Sequence, residues 1–327
     1  MCEVAGNNYK RKDVFHLADL ECLSSNFINA LMIRKKDYRH FLLNYWNVEY
    51  YNNILFGAKN INFCFPDYLY GIKLTGKEGP LSEITELLNQ GVLIFLEANA
   101  SDLHFFPGNW LRFEDNSLKH TCLLLSYDNQ KKEFHVLDAI LRYKGISSYT
   151  QIEQTRNEKG LYSFTVIEEN QDHVSPPIRA ILFKATDYNH RLYIQRLFPF
   201  GHRAFQLFRQ GLNESIKMNK PERHHWAWSN VKSVNSIISI HRQIWKIFVE
   251  YMKKEYISEE TGNKFQHLLV NWETLLNNLR LFRDNGEAGS AVTDSLSDCS
   301  RQIAVEEEEL LCSMREAVIQ KYHLVKI

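Results

Sequence analysis

The sequence predicts an α+β protein. Residues 1–190 read as a helix packed on an antiparallel sheet, and residues 191–327 as an all-α helical domain. Three observations predict this. First, residues 121–127 are a short apolar run of buried-strand type, Asp128-Asn129-Gln130-Lys131-Lys132 is turn chemistry, and residues 133–138 form a second strand, so the stretch is a hairpin. Second, residues 92–97 and 161–167 are further strand-length apolar runs. Third, strand patterns stop near residue 190, and helical periodicity runs over 192–212, 226–256, 260–282 and 304–322.

Each element has its signals. Residues 1–13 are polar, and Met1-Cys2-Glu3-Val4-Ala5-Gly6 lacks the charged and then apolar regions of a signal peptide. Leu23, Phe27, Ala30, Leu31 and Ile33 recur at helical spacing, and Asp19 is the expected N-cap, which puts Cys22 in the first turn. Residues 35–53 read as a second helix. Residues 54–70 read as short strands and turns, around Leu55-Phe56-Gly57 and Ile61-Asn62-Phe63-Cys64-Phe65, with Cys64 as core. Pro80 and Ser82 open a helix over 83–89 that Gly91 ends. Residues 98–113 are a loop holding Asp102, His104, Pro107 and Trp110. Ser147-Ser148-Tyr149-Thr150 begins another helix, residues 168–177 link, and 180–185 read as a last strand or a connector. Further on, breaks fall at Asn219-Lys220-Pro221, Ser258-Glu259 and 284–300. The run Glu306 to Glu309 reads as solvated first turns of the last helix. Trp226, Trp228, Trp245 and Trp272 read as helix-packing core, and Arg242 as an anion contact or part of a solvated face.

Totals exclude several classes. Hydrophobic residues at 44% and charged residues at 24% allow a globular core, and 39 basic against 39 acidic residues give no argument for nucleic acid or an anionic membrane. No basic stripe interleaved with aromatics, no glycine-rich phosphate loop and no bilayer-length apolar run occurs. Cysteines stand at 2, 22, 64, 122, 299 and 312, without a paired spacing. A reduced, cytoplasmic, soluble protein is expected. Asp102 with His104, or His224 with His225, lacks the convergent spacing of a metal site, so no metal is expected.

The chemistry concentrates on the hairpin. A pivot near Gln130 sets Asp138 almost opposite Cys122 and one diagonal step from His120, and alternation puts all three on one face. That is an imidazole with the carboxylate that orients it, or a structural His–Asp pair. Cys22 at a helix start is a candidate nucleophile, because free amides and the macrodipole favour a thiolate, or else a small core residue. Cys22, His120 and Asp138 stand in the chain order of papain-like thiol enzymes, with backbone amides at the helix start to meet an oxyanion. His16 stands six before the cysteine, where papain-like proteases often carry glutamine. Ser24 and Ser25 face other sides of the helix, and Cys122 is held too rigidly beside His120.

Four stretches together resemble the butirosin biosynthesis protein H-like family. They are Glu21-Cys22-Leu23-Ser24-Ser25; Leu55-Phe56-Gly57-Ala58-Lys59-Asn60-Ile61-Asn62-Phe63; Gly91-Val92-Leu93-Ile94-Phe95-Leu96 with Ser101-Asp102-Leu103-His104-Phe105-Phe106-Pro107; and His120-Thr121-Cys122-Leu123-Leu124-Leu125-Ser126-Tyr127-Asp128 through Val136-Leu137-Asp138. The resemblance covers residues 14–185. The family often has His before the cysteine, where Glu21 stands here, and more glycines in the Phe-Gly segment. The resemblance implies a papain-like catalytic domain over 1–190. It implies acyl transfer in antibiotic or nonribosomal-peptide biosynthesis, from the phosphopantetheine thioester of an acyl or peptidyl carrier protein to an amine, with no cofactor of the protein's own. Cys22 would be nucleophile, His120 base, Asp138 its orienter, and Asp102 would line the amine's site. A thiol hydrolase on the same residues (thioesterase, amidase or peptidase) and a non-catalytic binding protein are the alternatives.

Overall fold

The computed structural model describes residues 14–16, 20–57, 64–108, 118–195, 198–285 and 290–322. The protein is α+β, and it divides into two compact units: Met1–Tyr38 with Ile61–Ser175, and Arg39–Asn60 with Pro176–Ile327. In chain order the elements begin α1 (Cys22–Ile33), α2 (Arg39–Leu42), β1 (Val48–Tyr51), β2 (Ile54–Gly57), α3 (Cys64–Tyr70), β3 (Ile72–Gly79), α4 (Leu81–Asn89) and β4 (Leu93–Asn99). They continue with β5 (Lys119–Asp128), β6 (Glu133–Asp138), β7 (Tyr143–Ser148), α5 (Tyr149–Glu153), β8 (Tyr162–Glu169), α6 (Ile178–Ile194), α7 (Gly201–Lys217), α8 (Lys220–Lys253), α9 (Glu259–Asn285) and α10 (Ser290–Tyr322).

The first unit is built on a six-stranded sheet of order β3-β8-β4-β5-β6-β7, antiparallel throughout. Its central strands are covered on both faces. Ile94, Leu96, Cys122, Leu124, Phe134 and Val136 pack with Ile84 and Leu88 of α4. On the other face Phe27 of α1 meets Phe95 at 6.5 Å and Tyr70 of α3 at 6.4 Å. Double coverage is why the start of β4 (Leu93 to Leu96) and the middle of β5 (Cys122 to Leu125) are continuous apolar runs rather than alternating ones. Each such Leu or Phe contributes roughly 2 kcal/mol by burial. Gly91 (φ +79°) closes α4 in a left-handed conformation that other residues adopt only with strain. Ser148 caps α5 through a capping box with Gln151.

Among its described residues, the second unit's only paired strands form one hairpin, and the rest of its regular structure is helical. β1 and β2 join through Asn52 and Asn53, both at positive φ (48° and 63°), the geometry of a two-residue hairpin turn. Asn230 of α8 fixes the hairpin: its Oδ1 accepts the Leu55 N–H at 3.0 Å and its Nδ2 donates to the Asn53 carbonyl at 3.1 Å. Asn219 caps α8 by accepting the Glu222 amide at 3.0 Å, with Pro221 in the first turn.

Several expectations are corrected. Only residues 39–45 of the expected helix 35–53 are helical; the Asn-Asn turn makes residues 48–53 part of a hairpin. Of the expected strand around Ile61-Asn62-Phe63-Cys64-Phe65, the described part, from Cys64, is helix α3, and the Cys64 side chain lies outside the described residues. β3 and β7 carry no clear strand pattern in the sequence, since glycines weaken it. Residues 180–185 lie within α6, so the expected cut at residue 190 falls inside a helix. Much of the expected break at 284–300 belongs to α10. Glu306 to Glu309 therefore lie in mid-helix, and Glu307 is fully buried, accepting the indole N–H of Trp272 at 2.8 Å. Trp226 and Trp272 are core as expected, whereas Trp228 is 41% exposed, with Lys232 and Arg283 over its ring. Among the described residues no helix is long and apolar enough to cross a membrane.

Candidate active site

The N-terminus of α1 is capped by Glu21, not by Asp19, which lies outside the described residues. The Glu21 carboxylate accepts the amides of Leu23 and Ser24 at 3.0 and 3.3 Å, and the Ser24 hydroxyl also donates to it. The Glu21 carbonyl accepts the Ser25 amide at 3.0 Å. Cys22 is thus the first helical residue, and it is half-buried. One turn on, the fully buried Asn26 ties α1 to the sheet: its Nδ2 donates to the Thr121 carbonyl at 2.7 Å and its Oδ1 accepts the Ala139 amide at 2.9 Å.

The hairpin brings the acid to the histidine through a bulge. Near the turn Asp128 pairs with Glu133 and Ser126 with His135, but beyond the bulge Leu124 pairs with Val136 and Leu123 with Leu137. Extending the turn's register would set Asp138 opposite Leu123, on the wrong face. The extra residue, Leu125, shifts the ladder by one and returns Asp138 to the face of His120 and Cys122.

His120 Nε2 is hydrogen-bonded to Asp138 Oδ2, and Asp138 Oδ1 accepts the Leu141 amide at 2.9 Å, so the carboxylate is held on both sides. Asp138 is 0% and His120 6% exposed. The Cys22 sulfur is close enough to act on His120 electrostatically. Burial disfavours the imidazolium, but the Asp138 hydrogen bond and the charges of Asp138 and Cys22 outweigh it, and the His120 pKa is raised to about 9. Phe106 packs edge-on against the ring, centroids 5.1 Å apart. A cationic imidazole against a sulfur is the partner that a nucleophilic thiolate needs, and the carboxylate behind it fixes which ring nitrogen faces the sulfur.

The other candidates separate from this group. Cys122 is fully buried; burial, with the charge of Asp138 adding, pushes its thiol well above the usual range. Ser25 donates to the Leu20 carbonyl at 3.2 Å. Asp102 ends a short 3-10 turn after β4, where Asn99 Nδ2 and the Ser101 hydroxyl donate to it at 3.1 and 3.3 Å. Since Asn99 pairs with Lys119, this turn belongs to the His120 end of the sheet, but the hydrogen bonds of Asp102 stay within the turn. His104 is exposed and packs edge-on against Phe105 and Tyr143. His224 and His225 are exposed on α8, and Arg242 pairs with Glu273 at 2.7 Å on a solvated face. Among the described residues no group of three or more His, Cys, Asp or Glu side chains is placed to hold a metal.

Two residues at the site had weak signals in the sequence. Asn26 carries none beyond being polar on the inner face of an amphipathic helix. His16 was marked only by its spacing from Cys22; its Nδ1 donates to the Ala139 carbonyl at 2.8 Å, a contact across 123 residues of chain. No protein-family model matches the chain, and no curated protein matches it.

Proposed function

We propose that the protein is a cysteine-dependent N-acyltransferase with a papain-like catalytic unit. It would move an acyl group from the phosphopantetheine thioester of a carrier protein, through an acyl-Cys22 intermediate, to an amine in antibiotic or nonribosomal-peptide biosynthesis. One observation carries this reading: a buried imidazole hydrogen-bonded to the Asp138 carboxylate and electrostatically coupled to a cysteine at the first position of a helix.

In the first half-reaction Cys22 Sγ attacks the thioester carbonyl. The cap takes the amides of Leu23 and Ser24, so the amide of Cys22 itself is the first-turn donor for the oxyanion. The tetrahedral intermediate collapses, the C–S bond to pantetheine breaks, and His120 gives its proton to the departing thiol. Asp138 keeps the ring in place through both steps. In the second half-reaction the amine attacks the acyl-enzyme, the C–N bond forms, His120 takes a proton from nitrogen, and Cys22 leaves as thiolate. Asp102 suits an ammonium group at the same end of the sheet. Water in place of the amine would make the same residues a thiol hydrolase.

The test is intact-protein mass after exposure to a thiol-directed electrophile and, separately, to a simple acyl thioester, for wild type and Cys22→Ala. A single adduct lost in Cys22→Ala, then discharged by added amines, supports the transferase. Discharge by water regardless of amine points to the hydrolase. An adduct that persists in Cys22→Ala, or none at all, sinks the thiol mechanism and leaves a binding protein.

A further inference from the structure

We propose that His16 is the base that takes the first proton from the acceptor's ammonium group; this rests on the acyltransferase reading of Cys22. An alkylamine meets the acyl-enzyme at neutral pH mostly as R–NH3⁺, and it must lose two protons on the way to an amide. His120 accounts for one of them, and the structure holds a second imidazole next to the same strand end.

The placement follows from three hydrogen-bonded links. The Phe15 amide donates to Asn29 Oδ1 at 2.9 Å, and Asn29 Nδ2 donates back to the Phe15 carbonyl at 2.9 Å, so the backbone before His16 is clamped to α1. Asn26 and Asn29 lie on the face of α1 that carries Cys22, at one-turn and two-turn spacings from it. The His16 ring then reaches the carbonyl of Ala139, whose amide is held by Asn26 and whose neighbour is Asp138. Two adjacent residues, Asp138 and Ala139, therefore hold two imidazoles by different nitrogens.

The nitrogen used decides the chemistry. A carbonyl only accepts, so Nδ1 of His16 carries the hydrogen, and in the neutral ring Nε2 is left as a lone pair. A glutamine amide could donate to an oxyanion from this position; neutral His16 cannot through Nε2, and is instead an acceptor. The step balances. His16 Nε2 takes a proton from R–NH3⁺, the freed amine attacks the thioester carbonyl, the C–N bond forms and the C–S bond breaks. The second N–H proton goes to His120, Cys22 is left as thiolate beside the imidazolium, and His16 releases its proton to solvent.

The experiment separates the half-reactions at neutral pH. Wild type, His16→Gln and His16→Ala are acylated with an acyl-pantetheine thioester and then chased with a primary alkylamine, which is protonated, or with hydroxylamine, which is not. Loss of the acyl adduct is followed by intact mass. In both variants acylation is expected within about twofold of wild type and hydroxylamine discharge likewise, while alkylamine discharge falls on the order of 100-fold, the lower range for loss of a general base. Equal slowing of both nucleophiles, slowing of acylation, or no change in any step overturns the assignment. A wild type that forms no acyl-enzyme fails at the first stage, which refutes the Cys22 reading and this inference with it; failure confined to the chase refutes His16 alone.

Discussion

At the scale of single residues, His120 is set by the two groups that flank it. Its pKa is raised to about 9 from an ordinary value of about 6.5, despite burial. A raised pKa means that the pairing stabilises the fold fully below about 6.5 and that this contribution is lost as pH rises through about 9. The difference in thermal midpoint between wild type and His120→Gln should therefore shrink across that window; a difference flat from pH 6 to 10 would refute the charge assignment. On the proposed acyltransferase reading, acyl-enzyme formation needs the imidazolium to protonate the leaving thiol, so its rate should fall on the alkaline side with a midpoint near 9. Asp138→Asn should lower the rate about 100-fold or more and move that midpoint to lower pH, which a rate–pH profile of single-turnover acylation would record. Cys22, His120 and Asp138 were legible because alternation and helix-start chemistry leave marks in sequence. The Glu21 cap was not, since a carboxylate next to a cysteine gives no sign of which way it folds.

Among the elements, Asn26 and the β5–β6 bulge do what no local pattern announces. Asn26→Leu keeps the branched shape but strands the Ala139 amide and the Thr121 carbonyl at a buried seam. Stranded buried polar groups cost about 1–3 kcal/mol each, so a loss of roughly 2–6 kcal/mol is expected by urea unfolding, with slower Cys22 alkylation in the folded fraction. A change below 1 kcal/mol would mean that α1 does not depend on this tie. A simple pivot at Gln130 sets Asp138 on the right face, whereas the actual turn alone would not; turn and bulge together restore the register. The expected pairing was therefore reached without its mechanism, because a one-residue bulge within Leu-Leu-Leu-Ser-Tyr leaves every apolar position plausible. Asn52-Asn53, by contrast, is a hairpin signal that the aromatic richness of residues 35–53 obscured.

For the whole molecule, composition and the change of periodicity near residue 190 were enough for an α+β unit and a helical one, but not for their boundaries. Contacts distant in sequence decide those. Glu307 shows the same limit: within Glu306 to Glu309 nothing in sequence marks the carboxylate that turns inward to Trp272 and lies 3.5 Å from His241 Nε2. Glu307→Ala would leave the Trp272 and His241 nitrogens buried without it, and a loss of about 3–5 kcal/mol is expected from thermal unfolding followed by helical circular dichroism. A change within 1 kcal/mol would show that Glu307 is dispensable.

The β1–β2 hairpin belongs to the helical unit, yet its Asn230 clamp is encoded 175 residues after Leu55. On a translating ribosome, at about 5–20 residues per second, the hairpin would wait on the order of ten seconds or more before that helix exists. Val48, Tyr50 and Leu55, all buried in the finished protein, would face water or a holding chaperone for that interval. The order of synthesis, rather than the final stability, is then where this chain is most exposed to misfolding.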